Sequence, residues 1–128
     1  MFKIRDKPFM TININQPAIR IKMGRCMSIN KKALYALSNP ENILFWWSKS
    51  SRVLLISTTL KETPLSIKIN ECYYNTKSGL RIEKSKLIHT IMKITGWRTD
   101  MIYVIIGEYI AELDMIAFKV DNAIELED

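Results

Sequence analysis

Histidine and cysteine are scarce in this chain, with His89 alone and only Cys26 and Cys72 among 128 residues. A zinc site drawn from these residue types lacks ligands. The two cysteines stand far apart and form no C-x-x-C, which fits buried thiols in a reducing compartment better than a disulfide framework. Cys26 is expected to face the core, where a thiol is inert. The chain also lacks any G-x-G-x-x-G, Walker A or G-x-S-x-G run, so the short signatures of dinucleotide, nucleotide and acyl-transfer chemistry are absent. The acids Glu108, Glu112, Asp114, Asp121 and Glu125 are scattered, and no spacing argues that any two converge as an acid/base pair. The expectation is a protein without catalytic activity and without cofactor or metal. No apolar run approaches the ~20 residues of a membrane span, and MFKIRDKPFM at the start has no apolar signal region. A soluble cytoplasmic protein with no membrane contact is expected.

Acid is missing from one half in particular. Residues 1–61 carry eleven Lys/Arg against Asp6 and Glu41, a net +9, while residues 62–128 carry eight against eleven acids, a net −3, which together make the +6 of the whole. Such asymmetry points to a basic surface that attracts polyanions and an acidic end that does not.

What the chain does have is 48% hydrophobic and 25% charged residues, enough for one domain with a real core. TININ (11–15) and AIRIK (18–22) alternate at period 2 around Gln16-Pro17 and predict an N-terminal hairpin behind a basic arm. A short strand follows at 26–29. Asn30 is placed as the N-cap of a short helix over 31–37, stopped by Ser38-Asn39-Pro40. Strands at 43–47 and 52–56 form a hairpin. A connector spans 58–79, with short strands expected at 66–69 and 72–74. A strand at 80–82 and a helix at 83–94 follow, the helix carrying Leu87, Ile88, Ile91 and Met92 as its apolar stripe. Gly96 is its left-handed C-terminal residue. Strands at 101–106 and 113–118, with a turn at Gly107-Glu108, precede an acidic, frayed tail over 120–128.

Met27–Ser57 is thus echoed by Leu80–Phe118, each reading as strand, helix, strand, strand. A unit that small cannot bury its own apolar face, so the two copies are expected to pack on each other. The order Gly24-Arg25, strand, Ile29-Asn30, helix to Leu37, Pro40-Glu41, hairpin resembles the AbrB/MazE-type (SpoVT-AbrB, swapped-hairpin) module. The second copy resembles it through Ile82, Leu87, Ile91 and Thr95-Gly96-Trp97. It departs from it in having Gly79-Leu80-Arg81 in place of a Gly-Arg turn. The chain also resembles small proteins carried by phages and prophages of low-GC Gram-positive bacteria. The resemblance implies an α+β, mostly β fold: two βαββ AbrB-like units (23–57 and 80–119) in a pseudo-symmetric barrel, with an extra N-terminal arm and hairpin (1–22). It also implies DNA binding, with arginines of the N-terminal module on the duplex and Arg25 the position that carries over best.

The basic set expected at DNA is Arg5, Arg20, Lys22, Arg25, Lys31, Lys32, Lys49 and Arg52, with Lys3 and Lys7 beside it. Arg20 and Lys22 share one strand face, so they point together. In Leu44-Phe45-Trp46-Trp47, Phe45 and Trp47 share one face and Leu44 and Trp46 the other. One face is core, and the other is either covered or an aromatic surface suited to a protein interface through Trp46 or Trp47. That second possibility supports a different reading, an accessory protein that binds and inhibits a host protein. Antitoxins of the family hold their toxin through an extended C-terminal segment, which 121–128 would supply. A third reading is capture of a small anion or nucleotide between the two halves. A homo-dimer or higher oligomer is compatible with any of these. His89 is expected on the polar side of its helix.

Overall fold

The computed structural model describes residues 16–22, 26–69, 80–82 and 85–127. The strands are β1 (Ala18–Lys22), β2 (Cys26–Ile29), β3 (Asn42–Ser48), β4 (Val53–Thr58), β5 (Ile67–Lys68), β6 (Leu80–Ile82), β7 (Met101–Ile110), β8 (Met115–Lys119) and β9 (Ile124–Glu127). Two α-helices, α1 (Lys31–Ala36) and α2 (Ser85–Thr95), and a 3-10 turn at Val120–Asn122 complete the described elements. Among the described residues all strand pairings are antiparallel, in the order β5-β3-β4-β8-β7-β1-β2-β6, with β9 added to β7. The fold is mostly β, and its sheet curls into a half-barrel.

β7 makes the curl possible. Its first half lies between β1 and β9, through Ile21↔Tyr103 on one side and Tyr103↔Glu125 on the other. Its second half turns to β8, starting at Gly107↔Phe118. At that crossing a Cβ on Gly107 would meet Phe118 Cε1 at 2.5 Å and Ile116 Cγ2 at 2.8 Å. Only a residue without a side chain lets Phe118 and Ile116 lie that close to the β7 backbone, as expected at a barrel corner. Phe118 and Ile116 are fully buried there.

The core lines the concave side. Strand alternation delivers Ile19, Ile21, Met27, Ile29, Leu54, Ile56 and Ile105 to it, and the helices add Ala33, Leu34, Ile88 and Ile91. Asn30 fixes where α1 enters. Its Oδ1 accepts from Ala33 N–H at 3.0 Å, capping the helix, and from Ala18 N–H at 3.0 Å. Its Nδ2 donates to Gln16 O at 2.8 Å, and its backbone N–H donates to Ala18 O at 3.1 Å. One side chain thus joins the helix start to the start of β1. α2 ends at Gly96, at φ +72°, the conformation glycine adopts without strain.

The hairpin of β3 and β4, the strand at 80–82, the Asn30 cap and the Gly96 end agree with the sequence reading. Three expectations are corrected. The chain does not turn at Gly107-Glu108: β7 runs on to Ile110 and turns at 111–114, because Gly107 serves close packing rather than reversal. The tail is not frayed along its length. Val120 is fully buried, and Ile124 and Leu126 pair with Val104 and Ile102 in β9. Cys26 is half-buried and alternates with the core residues Met27 and Ile29, so it sits on the other face of β2. The expected strands at 11–15 and 72–74 lie outside the described residues.

Gly107→Ala is expected to destabilise the fold by about 1–3 kcal/mol, the usual range for overpacking a filled core. Urea unfolding should show a lowered midpoint with an unchanged slope. An unaltered midpoint would mean that Phe118 moves aside at no cost.

Candidate nucleic-acid interface

The convex side of β1, β2 and β6 carries a row of cations. Because directly paired residues share a face, the registers Arg20↔Ser28 and Ser28↔Arg81 set Arg20, Ser28 and Arg81 side by side. Arg20 and Arg81 are exposed, and Ser28 between them is half-buried. At about 4.8 Å per strand, the two arginine backbones stand about 10 Å apart. Lys22, paired with Cys26, extends the group one step toward the 22–26 turn and is exposed. Their core-facing neighbours Ile19, Ile21, Met27 and Ile29 are all fully buried, so the arginines stand over a packed core.

The other expected cations are placed differently. Lys31 and Lys32 open α1, with Lys32 exposed and Lys31 half-buried. Two cations in a first turn oppose the helix dipole, so their presence there does not serve the helix. Lys49 is exposed in the β3–β4 turn. β4 is separated from β1 by β8 and β7, on the order of 14 Å along the sheet at the same strand spacing. Lys49 therefore belongs to another part of the surface. Arg52 has a structural engagement. Its backbone is left-handed at φ 56°, and its guanidinium Nη2 meets Asp121 Oδ1 at 2.9 Å and donates to Ile94 O at 3.4 Å. It ties the hairpin turn to α2 and to the 3-10 turn, with its charge already partnered. Arg5 and Arg25 lie outside the described residues, as do Lys3 and Lys7. Arg81, which the sequence reading passed over, joins the row through β2–β6 pairing. Its period-2 placement between Leu80 and Ile82, both buried, was the available signal.

The tryptophans separate by face. Phe45 and Trp47 pack against the core, while Trp46 is 51% exposed on the convex side. Trp46 Nε1 donates to Ser57 Oγ at 2.8 Å, and Trp47 Nε1 is buried without a partner among the described residues. His89 is exposed on α2, as expected.

At the beginning of β7, acidic groups are held in pairs. Trp97 stacks on Tyr103 with centroids 4.3 Å apart and rings 6° from parallel. Tyr103 Oη accepts from Arg98 N–H at 2.8 Å and donates to Glu125 Oε2 at 3.0 Å. Arg98 grips Asp100 with two hydrogen bonds, at 3.1 and 2.8 Å. Tyr103 therefore clasps β9 and the segment after α2 to the central strand. Burial pushes its phenol above the ordinary tyrosine range, and the bond to Glu125 pushes the same way. On the β7–β8 turn, the hydrogen bond to Asp114 at 2.6 Å raises Tyr109 as well.

Among the described residues no group of three or more His, Cys, Asp or Glu is placed to hold a metal ion, and no helix is long and apolar enough to cross a membrane. Comparison with protein-family models, with curated proteins and with solved structures gives no match.

Because the fold holds the proton on Tyr103 more tightly than the unfolded chain does, its contribution to stability is complete below the unfolded pKa of about 10 and is lost as pH rises through the raised value. Tyr103→Phe is expected to flatten the alkaline loss of stability above about pH 10, measured as unfolding midpoint against pH. An alkaline profile identical to the parent would show that burial and the bond to Glu125 do not hold this proton above the ordinary tyrosine range.

Proposed function

We propose that the protein is a non-catalytic DNA-binding regulator that docks the convex face of β1, β2 and β6 on the phosphate backbone. One observation carries the reading: Arg20, Ser28 and Arg81 lie in a single cross-strand row, with Lys22 one step away, over a fully buried core. Such a row supplies two fork-shaped cations and a hydroxyl, the groups that bind phosphate oxygens and set orientation. Lys32 and the charge of the 1–61 half favour approach by a polyanion. Arg25 belongs to the set by its resemblance to the Gly-Arg turn of the AbrB/MazE-type module. Arg52 contributes through the fold, and Lys49 stands apart.

The barrel is, in this reading, an internal pseudo-dimer of two AbrB-like βαββ units. Support comes from the pairing of corresponding strands with each other: β2 with β6, and β4 with β8, both antiparallel. Where corresponding strands meet across a two-fold axis they run antiparallel, as these two pairs do. The reading as an inhibitor of a host protein has one observation in its favour, the half-exposed Trp46. The toxin-holding segment it called on, 121–128, is taken up into β9 as far as Glu127.

Fluorescence anisotropy with mixed-sequence duplex DNA over a salt series tests the proposal. Binding should weaken steeply with salt. The folded double variant Arg20→Ala/Arg81→Ala should bind more weakly, with a slope shallower by about 2 from the loss of two phosphate contacts. Flat or absent binding at low salt, or unchanged affinity in the double variant, would overturn it. Bridging by a small nucleotide would instead appear as competition by that nucleotide at one-to-one stoichiometry.

A further inference from the structure

Among the described residues, β3 is an edge strand for most of its length. β5 pairs with it only at Asn42 and Ile43. Beyond that point, from Leu44 to Ser48, nothing among the described residues pairs with its outer edge. The direction of the free groups follows from alternation along an antiparallel ladder. Thr59 N–H donates to Asn42 O from the β4 side, and Ile69 N–H donates to Glu41 O from the β5 side. Even-numbered residues of β3 therefore bond to β4, and odd-numbered ones face the open edge. Phe45 and Trp47 thus present two N–H and two C=O groups outward.

Proteins usually protect such an edge with charge, proline or a bulge. None is present here: Asn42–Ser48 reads NILFWWS, without a charged residue. On the convex side of the same strand Trp46 is 51% exposed, and Leu65, just before β5, is 75% exposed.

We propose that this edge joins two copies of the chain, β3 to β3, antiparallel about a two-fold axis at Trp46. The register is self-complementary. Phe45 meets Trp47 of the second copy as a hydrogen-bonded pair, and Trp47 meets Phe45 in the same way, so all four free backbone groups on each copy are satisfied. Trp46 then faces its own counterpart at a non-hydrogen-bonded position, where side chains approach most closely. Leu44 faces Ser48. The absence of charge from 42 to 48 means that the strand meets itself without like-charge contact, which suits a second copy.

Area and charge limit the strength of the dimer. A strand pair with one tryptophan on each side, each ring able to bury at most about 250 Å², falls short of the roughly 800 Å² per partner of a standard interface. Each copy also carries +6, so the two repel at long range. The dimer is therefore weak, concentration-dependent and strengthened by added salt, which screens that repulsion. Its salt dependence is opposite in sign to that of phosphate binding, and it does not rest on the DNA reading.

The test is sedimentation equilibrium of the full chain without nucleic acid, across protein concentration and salt. The mass should rise from monomer toward twice that value, more readily at higher salt. Trp46→Lys, at a half-exposed position outside the core, should weaken association by about tenfold or more while circular dichroism stays unchanged, as expected for a lost central tryptophan. Register is tested by Leu44→Cys/Ser48→Cys in a Cys26→Ser/Cys72→Ser background. Within one chain these two positions are about 13 Å apart along the strand, so a disulfide between them forms only between copies. Oxidation should give a covalent dimer. A monomer at every concentration, a Trp46→Lys protein that associates as the parent does, or a folded double-cysteine protein that stays monomeric on oxidation would each overturn the proposal.

Discussion

The architecture depends on the contact between Phe118 and the bare backbone of Gly107. β7 has to serve two parts of one sheet. Its first half is central, flanked by β1 and β9, and its second half pairs with β8. A straight strand with a side chain at 107 would hold Phe118 away from it. The missing Cβ brings β8 down onto β7, so the sheet bends enough to enclose the two helices. The core cluster that runs from Ile19 to Val120 exists because of that bend, and the outward presentation of Arg20 and Arg81 is the other side of the same geometry. Residues on the concave side are consumed by the core, while Arg20 and Lys22 of β1 and Arg81 of β6 stand at alternate positions on the other face.

Asn30 and Arg52 perform similar work at separate places. Each is a polar side chain that binds elements distant in sequence. Asn30 fastens α1 to β1, and Arg52 fastens the β3–β4 turn to α2 and the 3-10 turn. The contrast between Arg52 and Arg20 is useful in reading basic chains. Both contribute to the same net charge, but Arg52 is spent on Asp121 and a carbonyl, while Arg20 stands exposed beside a second arginine. Net charge says that a polyanion is attracted, and only the pairing of strands says which cations meet it.

Local features were legible in the sequence. The Asn30 cap, the stop at Ser38-Asn39-Pro40, the β3–β4 hairpin and the left-handed Gly96 follow from short-range stereochemistry, and the structure agrees with each. The alternation of Phe45 and Trp47 against Leu44 and Trp46 was legible too, although it did not say which face met the core. What was not legible came from long-range pairing. Gly107 carries the same signal whether it reverses the chain or receives a neighbouring ring, and only Phe118, arriving from β8, decides between them. The acidity of the tail points to fraying, but its apolar residues decide otherwise. Ile124 and Leu126 found partners on β7, and Glu125 found Tyr103. The link from Arg81 to Arg20 runs through β2, a relation that no local window contains.

The central place of β7 also bears on how the chain reaches this state. β1 and β2 form a local hairpin, and β3 and β4 form another, but β1 waits for β7 from far along the sequence. Loop-closure entropy has to be overcome before such pairings repay it, which makes folding slow for topologies of this kind. Until β7 arrives, the apolar faces of two isolated hairpins stand open to water, and a two-stranded ribbon is marginal by itself. The interval before that closure is when this chain is most exposed to aggregation, and its dense positive charge at the beginning then acts as a solubiliser of the unfinished fold.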